Sequence, residues 1–114
     1  MLNYMITYEE FQRVDIRSGT VVNIEAFPGA KKPAFKVWVD FGPEIGILQT
    51  SAQITVHYTT ETLIGRQIVG CINLGEKNIA GFLSQFLLLG FADKEGAICL
   101  LNVDPKIPNG QKMF

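Results

Sequence analysis

Histidine and cysteine are scarce in this chain of 114 residues. His57 is the only histidine, so metal motifs built on two histidines are excluded and no zinc site is expected. The two cysteines, Cys71 and Cys99, lie far apart in apolar, strand-like segments. This pattern predicts buried, reduced thiols instead of a metal clip or a redox pair.

A large excess of charge of either sign is also missing, because the formal net charge is −1 at pH 7. Any affinity for nucleic acid must therefore come from a local basic cluster. The longest apolar run, residues 86–92, is too short to cross a bilayer, and the N-terminus lacks the pattern of a signal peptide. We expect a cytoplasmic protein that does not insert into membranes.

Groups that support catalysis are few. His57 has no acidic residue near it in the sequence, and we expect it to be a surface or structural residue. Asp15, Asp40, Glu44 and Asp104 are scattered over separate predicted elements, and nothing in their spacing brings them together. Glycine loops of the kind that cradle phosphates are absent. The sequence predicts a non-enzymatic protein without a cofactor.

Residues 35–41 show the clearest pattern in the chain. Their odd positions are apolar, whereas Lys36 and Asp40 point the other way, which is typical of a strand with one buried face. Trp38, the only tryptophan, falls on the outer face beside Lys36. This face is either a binding surface or is covered by a neighbouring element or a second subunit.

The remaining segments predict a small β-barrel. Thr7 and Glu10 form a capping box that starts a short helix ending near Arg13. A long first strand follows, with Gly19 as a bulge or bend. Further predicted elements are a third strand at residues 45–49 that leaves the sheet at 50–53, a threonine-capped helix at 59–65, and strands at 67–74, 82–89 and 97–103.

This order of elements fits a single domain, residues 1–114, of the all-β class. The predicted fold is the OB-fold, a five-stranded Greek-key barrel with a short helix between strands 3 and 4, here preceded by an N-terminal helix. The alternative is an SH3-like barrel, which has less use for residues 54–66.

Lysines and polar side chains predict a binding face on this barrel. Lys31, Lys32 and Lys36 flank the second strand, and an OB-fold can bring Lys77 and Asn78 to the same side. Lysines neutralise phosphates, while amides and hydroxyls read base edges. The alternative interpretation is an ordinary solvated surface.

Several motifs then resemble one family in the same order along the chain. They are residues 14–19 (VDIRSG), 27–36 (FPGAKKPAFK), 49–54 (QTSAQI), 63–69 (LIGRQIV), 73–74 (NL) and 108–110 (PNG). These resemble the CsaA-type proteins, which are stand-alone versions of the tRNA-binding domain appended to methionyl-tRNA synthetase and to the phenylalanyl-tRNA synthetase beta subunit. The similarity runs from about residue 11 to residue 112.

The resemblance implies an OB-fold homodimer that binds the outside of structured tRNA, with both terminal segments helping to build the dimer interface. For the CsaA branch it also implies a role as an export-related chaperone for unfolded precursor proteins. The positions that match the family's RNA-facing surface are Lys31, Lys32, Lys36, Ser51, Asn73, Lys77, Asn78, Ser84 and Gln85. A chaperone function would require an exposed apolar patch, expected near Trp38, Phe82 or Phe86.

Overall fold

The computed structural model describes residues 4–114 of the chain. In chain order its elements are α1 (Tyr8–Gln12), β1 (Ile16–Ala26), β2 (Phe35–Asp40), β3 (Ile47–Ala52), α2 (Thr60–Leu63), β4 (Gln67–Cys71), β5 (Lys77–Ile79), β6 (Phe82–Ser84), β7 (Leu87–Leu88), β8 (Gly90–Ala92) and β9 (Ile98–Leu100). Neither helix in this part of the chain is long and apolar enough to cross a membrane.

Five antiparallel strands form the main sheet, in the spatial order β3-β2-β1-β4-β7. The sheet curls until β3 meets the segment before β7. There the amide of Gln85 donates to the carbonyl of Gln49, and the hydroxyl of Thr50 donates to the carbonyl of Phe86, both at 2.8 Å. This nearly closed barrel, with α2 between its third and fourth strands, confirms the predicted OB-fold. The strand pairs β5–β6 and β8–β9 form two hairpins outside the main sheet.

The alternation predicted for β2 places its apolar side chains in the barrel core. Val37, Val39 and Phe41 are fully buried. The Phe41 ring packs edge-on against Phe86, with 4.9 Å between the ring centroids. Burying a side chain of this size stabilises a fold by roughly 1.5–3 kcal/mol. This face of β2 therefore contributes strongly to the stability of the barrel.

Gly19 allows close packing between strands and is not the bulge that the sequence predicted. The pairing of β1 with β2 shifts register between Val21 and Asn23, so the irregularity lies three residues or so further along. A Cβ atom on Gly19 would lie 2.5 Å from Cγ1 of Val39, which is closer than van der Waals contact permits. A glycine is needed here because a side chain of β2 crosses directly over β1.

Both helices begin at the threonines that the sequence indicates. Oγ1 of Thr7 accepts the amide of Glu10, and the Glu10 carboxylate accepts the amide of Thr7, both at 3.0 Å. Thr59 and Thr62 form the same reciprocal pair at the start of α2. Leu63 is fully buried, so it anchors this short helix in the core.

The third strand is longer than its composition predicts. β3 continues to Ala52, although residues 50–53 are small and polar. Ser51 pairs with Lys36 on β2, and its amide donates to the hydroxyl of Ser84 on β6. The predicted exit from the sheet at residues 50–53 was wrong because these polar residues find hydrogen-bonding partners within the barrel.

The second half of the chain contains shorter strands than predicted. β4 ends at Cys71, and residues 82–89 contain the two strands β6 and β7 instead of one. The interruption falls at Gln85, whose amide bonds across to β3. A change of pairing partner therefore divides an apolar run that looks continuous in the sequence.

The C-terminal tail is fixed to the barrel by hydrogen bonds. The amide of Gly110 donates to the carbonyl of Ser18 at 2.7 Å, and the hydroxyl of Ser18 donates to the carbonyl of Pro108 at 2.9 Å. The side-chain amide of Gln67 donates to the carbonyl of Ile107 at 2.6 Å, and the Ile107 amide donates back at 3.1 Å. The last turns of the chain are thus packed against β1 and β4.

Two predictions about single side chains were wrong. Cys71 is buried as expected, but Cys99 is exposed because it lies in the separate β8–β9 hairpin. His57 has an acidic partner that is distant in sequence, since its Nε2 lies 2.7 Å from Oδ2 of Asp93. This hydrogen bond, and the amides that Asp93 accepts from Glu95 and Ala97, hold the pKa of its carboxyl below the ordinary value of 3.8.

Candidate nucleic-acid interface

Four of the residues singled out from the sequence stand in one row across neighbouring strands. Lys36 on β2 pairs with Ser51 on β3, and Lys77 on β5 pairs with Ser84 on β6. The amide of Ser51 donates to Oγ of Ser84 at 3.0 Å, and the two hydroxyl oxygens lie 3.2 Å apart. Two lysines therefore flank a seam of serine side chains, one from the main sheet and one from the β5–β6 hairpin.

The ammonium group of Lys36 lies against two aromatic rings. Its Nζ is 4.9 Å from the centroid of Phe27 and 5.1 Å from that of Phe82. The two rings meet edge-on at 5.7 Å. Cation–π contacts at exposed sites contribute about 0.5–1 kcal/mol, and here they restrict where the charge can point. Lys36 is thus the best-positioned cation of the row.

Trp38 lies beside this aromatic pair and is half-buried. Its ring packs edge-on against Phe82 at 5.8 Å, and its indole N–H donates to Oε1 of Gln49 at 3.2 Å. The side-chain amide of Gln49 in turn donates to the carbonyl of Leu83 at 2.8 Å. Of the alternatives open for Trp38, partial cover by a neighbouring element is what the structure contains, and that element is β6.

Lys31 and Lys32 are exposed in the loop between β1 and β2. The loop is closed at its base by the amide of Phe27, which donates to the carbonyl of Ala34 at 3.2 Å. Because the ring of Phe27 also contacts Lys36, the loop begins at the row described above. The structure therefore connects the loop lysines to the strand lysine through one aromatic residue.

Two amide residues of the predicted set shape the surface with their side-chain oxygens. Oδ1 of Asn78 accepts the amide of Gly81 at 2.9 Å in the turn of the β5–β6 hairpin. Oε1 of Gln85 accepts the amide of Gln49 at 3.1 Å, where the barrel closes. Asn78 is exposed and Gln85 is partly buried. Both lie on the elements that carry the row.

Asn73 is not brought into the row. Its Oδ1 accepts the amide of Asp15 at 2.9 Å, and its Nδ2 donates to the carbonyl of Arg13 at 2.6 Å. The side chain thus ties the end of β4 to the segment between α1 and β1. Sequence position after a strand could not distinguish this structural use from an exposed hydrogen-bonding group.

We name Lys31, Lys32, Lys36 and Lys77 the lysine surface. Within residues 4–114 the ion pairs are Arg13–Glu10, Arg17–Asp15 and His57–Asp93, and none of them includes one of these lysines. Glu76, beside Lys77, is exposed and reduces the local charge. The positive charges of the lysine surface are therefore available to an external anion.

Phe27, Phe82 and Gln49 support this surface and were not singled out from the sequence. Phe27 falls in a loop and Phe82 in a predicted strand, far apart in the chain. Only closure of the barrel brings them together. A cluster of two phenylalanines under a lysine has no local sequence signal, so pattern reasoning could not find it.

The variant Phe82→Ala is expected to destabilise the fold by about 2 kcal/mol, because the ring of Phe82 contacts Phe27, Lys36 and Trp38. Urea unfolding followed by circular dichroism measures this loss. Leu83→Ala is the matched control, since successive strand residues point to opposite faces and Leu83 is exposed. Equal losses in the two variants would contradict the support role of the ring.

The fold and the lysine surface are those of an OB-fold nucleic-acid-binding domain. The sequence matches the family described as "Putative tRNA binding domain" over residues 16–112, and the chain belongs to this family. The resemblance read from the motifs is thereby confirmed.

Two solved structures resemble the chain over nearly its full length. The crystal structure of chaperone CsaA from Bacillus anthracis str. Ames is 43% identical, with a TM-score of 0.90, over 97% of this chain and 100% of that one. The CsaA chaperone protein from Picrophilus torridus is 39% identical, with a TM-score of 0.90, over 96% of this chain and 100% of that one.

A curated relative is much longer than this chain. The methionine--tRNA ligase of Chlorobium chlorochromatii (strain CaD3) is 35% identical over 108 residues, which make up 95% of this chain and 15% of the ligase. The chain therefore spans about 15% of the length of the curated relatives that it matches.

Proposed function

We propose that this protein binds the outside of structured tRNA through the lysine surface, without catalysing a reaction. The observation that carries the proposal is the row in which Lys36 and Lys77 flank the Ser51–Ser84 seam, with no ion pair to either lysine among residues 4–114. Membership of the tRNA-binding family supports the choice of ligand. The cytoplasm is the compartment where such a ligand is encountered.

Different members of the predicted set take different parts in this proposal. The lysine surface contacts phosphates, and Ser51 and Asn78 are close enough to it to hydrogen-bond with sugars or base edges. Ser84 and Gln85 hold the barrel closed beneath the ligand, because their side-chain oxygens already accept amides of β3. Asn73 acts only through the stability of the fold.

Formation of a homodimer belongs to the same proposal. Large apolar side chains are exposed near both ends of the described chain, namely Tyr4, Met5, Ile6, Tyr8, Met113 and Phe114. Nζ of Lys112 donates to the carbonyl of Gln12 at 2.8 Å, so the two terminal segments lie side by side. Burying this area against a second copy would double the lysine surface across a two-fold axis.

Salt dependence of tRNA binding tests the proposal. With about six phosphate contacts in a dimer, the logarithm of the binding constant is expected to fall with the logarithm of salt concentration at a slope of roughly −4 to −5. Titrations with total tRNA between about 50 and 200 mM salt measure the slope. An unstructured RNA of equal length serves as the control ligand and is expected to compete weakly. A slope near zero would contradict the proposed contacts.

Binding of unfolded precursor proteins, as in an export-related chaperone, is the second candidate. It is favoured by the similarity to two structures described as CsaA chaperones. The apolar patch expected near Trp38, Phe82 and Phe86 is not exposed there, since Phe86 is only 5% exposed. Leu87 and Phe91 are exposed instead, at 51% and 72%. Capture by such side chains depends little on salt, which separates this function from RNA binding.

A further inference from the structure

A mixed group of potential metal ligands lies outside the lysine surface. His57, Asp93 and Cys99 each offer one ligand atom, and these atoms all lie within 4.8 Å of one another. The three residues come from different parts of the chain: the segment before α2, the turn after β8, and β9. The sequence argument missed the group because it considered pairs of histidines and pairs of cysteines, whereas this set has one of each.

Hydrogen bonds hold the carboxylate of this group in place independently of any ligand. Oδ1 of Asp93 accepts the amides of Glu95 and Ala97, both at 2.9 Å. Its other oxygen, Oδ2, is thereby turned toward Nε2 of His57 at 2.7 Å. The turn between β8 and β9 thus fixes both the position and the orientation of the carboxylate.

A second contact holds the histidine against the same hairpin. The hydroxyl of Tyr58 accepts the amide of Leu100 at 2.8 Å, and these residues directly follow His57 and Cys99. The guanidinium of Arg66 lies over the Tyr58 ring, 5.1 Å from its centroid, and packs it from the other side of the segment. The backbones that carry the imidazole and the thiol are therefore clamped together, so that the ligand set is largely formed in advance.

The geometry points to a site for one divalent transition-metal ion of the zinc class, bound by His57, Asp93 and Cys99. Tetrahedral zinc, with bonds of about 2.0 Å to N and O and about 2.3 Å to S, needs ligand atoms roughly 3.3–3.6 Å apart. Side-chain rotations of about 1 Å would bring the group to those separations. Binding would replace the His57–Asp93 hydrogen bond with two bonds to the ion and release the Cys99 thiol proton to solvent.

The donor set decides the chemical class of the ion. A thiolate and an imidazole are poor ligands for magnesium and calcium, which prefer oxygen atoms, and are good ligands for zinc and its neighbours in the first transition series. Three protein ligands leave a fourth position for water. Bound metal would cross-link the segment before α2 to the β8–β9 hairpin.

Titration of the tag-free full chain with Co²⁺, a spectroscopic substitute for zinc, tests the site. We expect one equivalent to produce a thiolate-to-cobalt charge-transfer band together with tetrahedral ligand-field bands, and added Zn²⁺ to abolish them. Cys99→Ser is expected to remove the charge-transfer band, and His57→Asn or Asp93→Asn to weaken affinity at least tenfold to a hundredfold. Absence of the bands in the unaltered protein would overturn the proposal whatever the variants do.

Cys71→Ser is the matched control, since Cys71 is the other thiol and is buried. It is expected to keep the cobalt bands. Loss of the bands in this variant, with its circular dichroism unchanged, would assign the metal to the wrong thiol and overturn the proposal. Unchanged affinity in both His57→Asn and Asp93→Asn would likewise overturn it, because Cys99 would then bind the ion without its neighbours.

Discussion

The double variant Lys32→Glu/Lys36→Glu is expected to bind tRNA about 50-fold more weakly than the unaltered protein. Near 0.1 M salt, each phosphate contact contributes roughly eightfold in affinity through counterion release, so two lost contacts cost about 60-fold. Lys32 lies in the exposed loop and Lys36 over the rings of Phe27 and Phe82. Gel-shift titration with total tRNA at two salt concentrations measures both the loss and the smaller salt slope.

Lys94→Glu/Lys106→Glu is the matched control for this variant. It makes the same change in net charge, at two exposed lysines that lie in the β8–β9 turn and the C-terminal tail. The control is expected to lose less than about threefold, since its effect is limited to screened long-range repulsion. Equal losses in the two double variants would remove the lysine surface as the binding site and leave only a general charge effect.

Gly110→Ala is expected to destabilise the protein by about 3–4 kcal/mol, a large share of a typical folding free energy of about 5–15 kcal/mol. Gly110 has a φ of +86°, and a Cβ atom there would lie 2.5 Å from the carbonyl oxygen of Phe41. The left-handed conformation costs an L-residue about 1–2 kcal/mol, and overlap with backbone adds about 1–3 kcal/mol. Urea unfolding measures the change.

Gly96 offers a matched control for Gly110. It also has a φ of +86°, but a Cβ atom added there meets nothing within 4 Å. Gly96→Ala therefore isolates the conformational cost, and its expected loss is about 1–2 kcal/mol. If the two variants unfold at the same urea concentration, the close approach of the tail to Phe41 contributes nothing to stability.

The parts of the fold that the sequence predicted correctly depend on local physical rules. The alternation in β2 survives because one face of that strand is buried, and Thr7 and Thr59 cap helices through bonds to residues three positions away. The end of β3 failed because Ser51 bonds to Ser84, 33 residues further along the chain. Composition near residue 51 contains no information about that partner.

The candidate site divides in the same way. The lysines were found because charge on the outer face of a strand is visible in the sequence. The aromatic pair of Phe27 and Phe82 was not, because barrel closure alone brings the two rings to 5.7 Å. His57 and Asp93 were also missed as a pair, since they meet through the β8–β9 hairpin, whose packing against the segment before α2 no local pattern encodes.

The seam at Ser51 and Ser84 has a mechanical consequence. At this point the β5–β6 hairpin is joined to the main sheet through side-chain oxygens instead of a continuous backbone ladder, so it is the line along which the wall separates with least work. Lys36 and Lys77 stand on opposite sides of that line. A polyanion that touches both acts as a staple across it, and the barrel stiffens where its cargo rests.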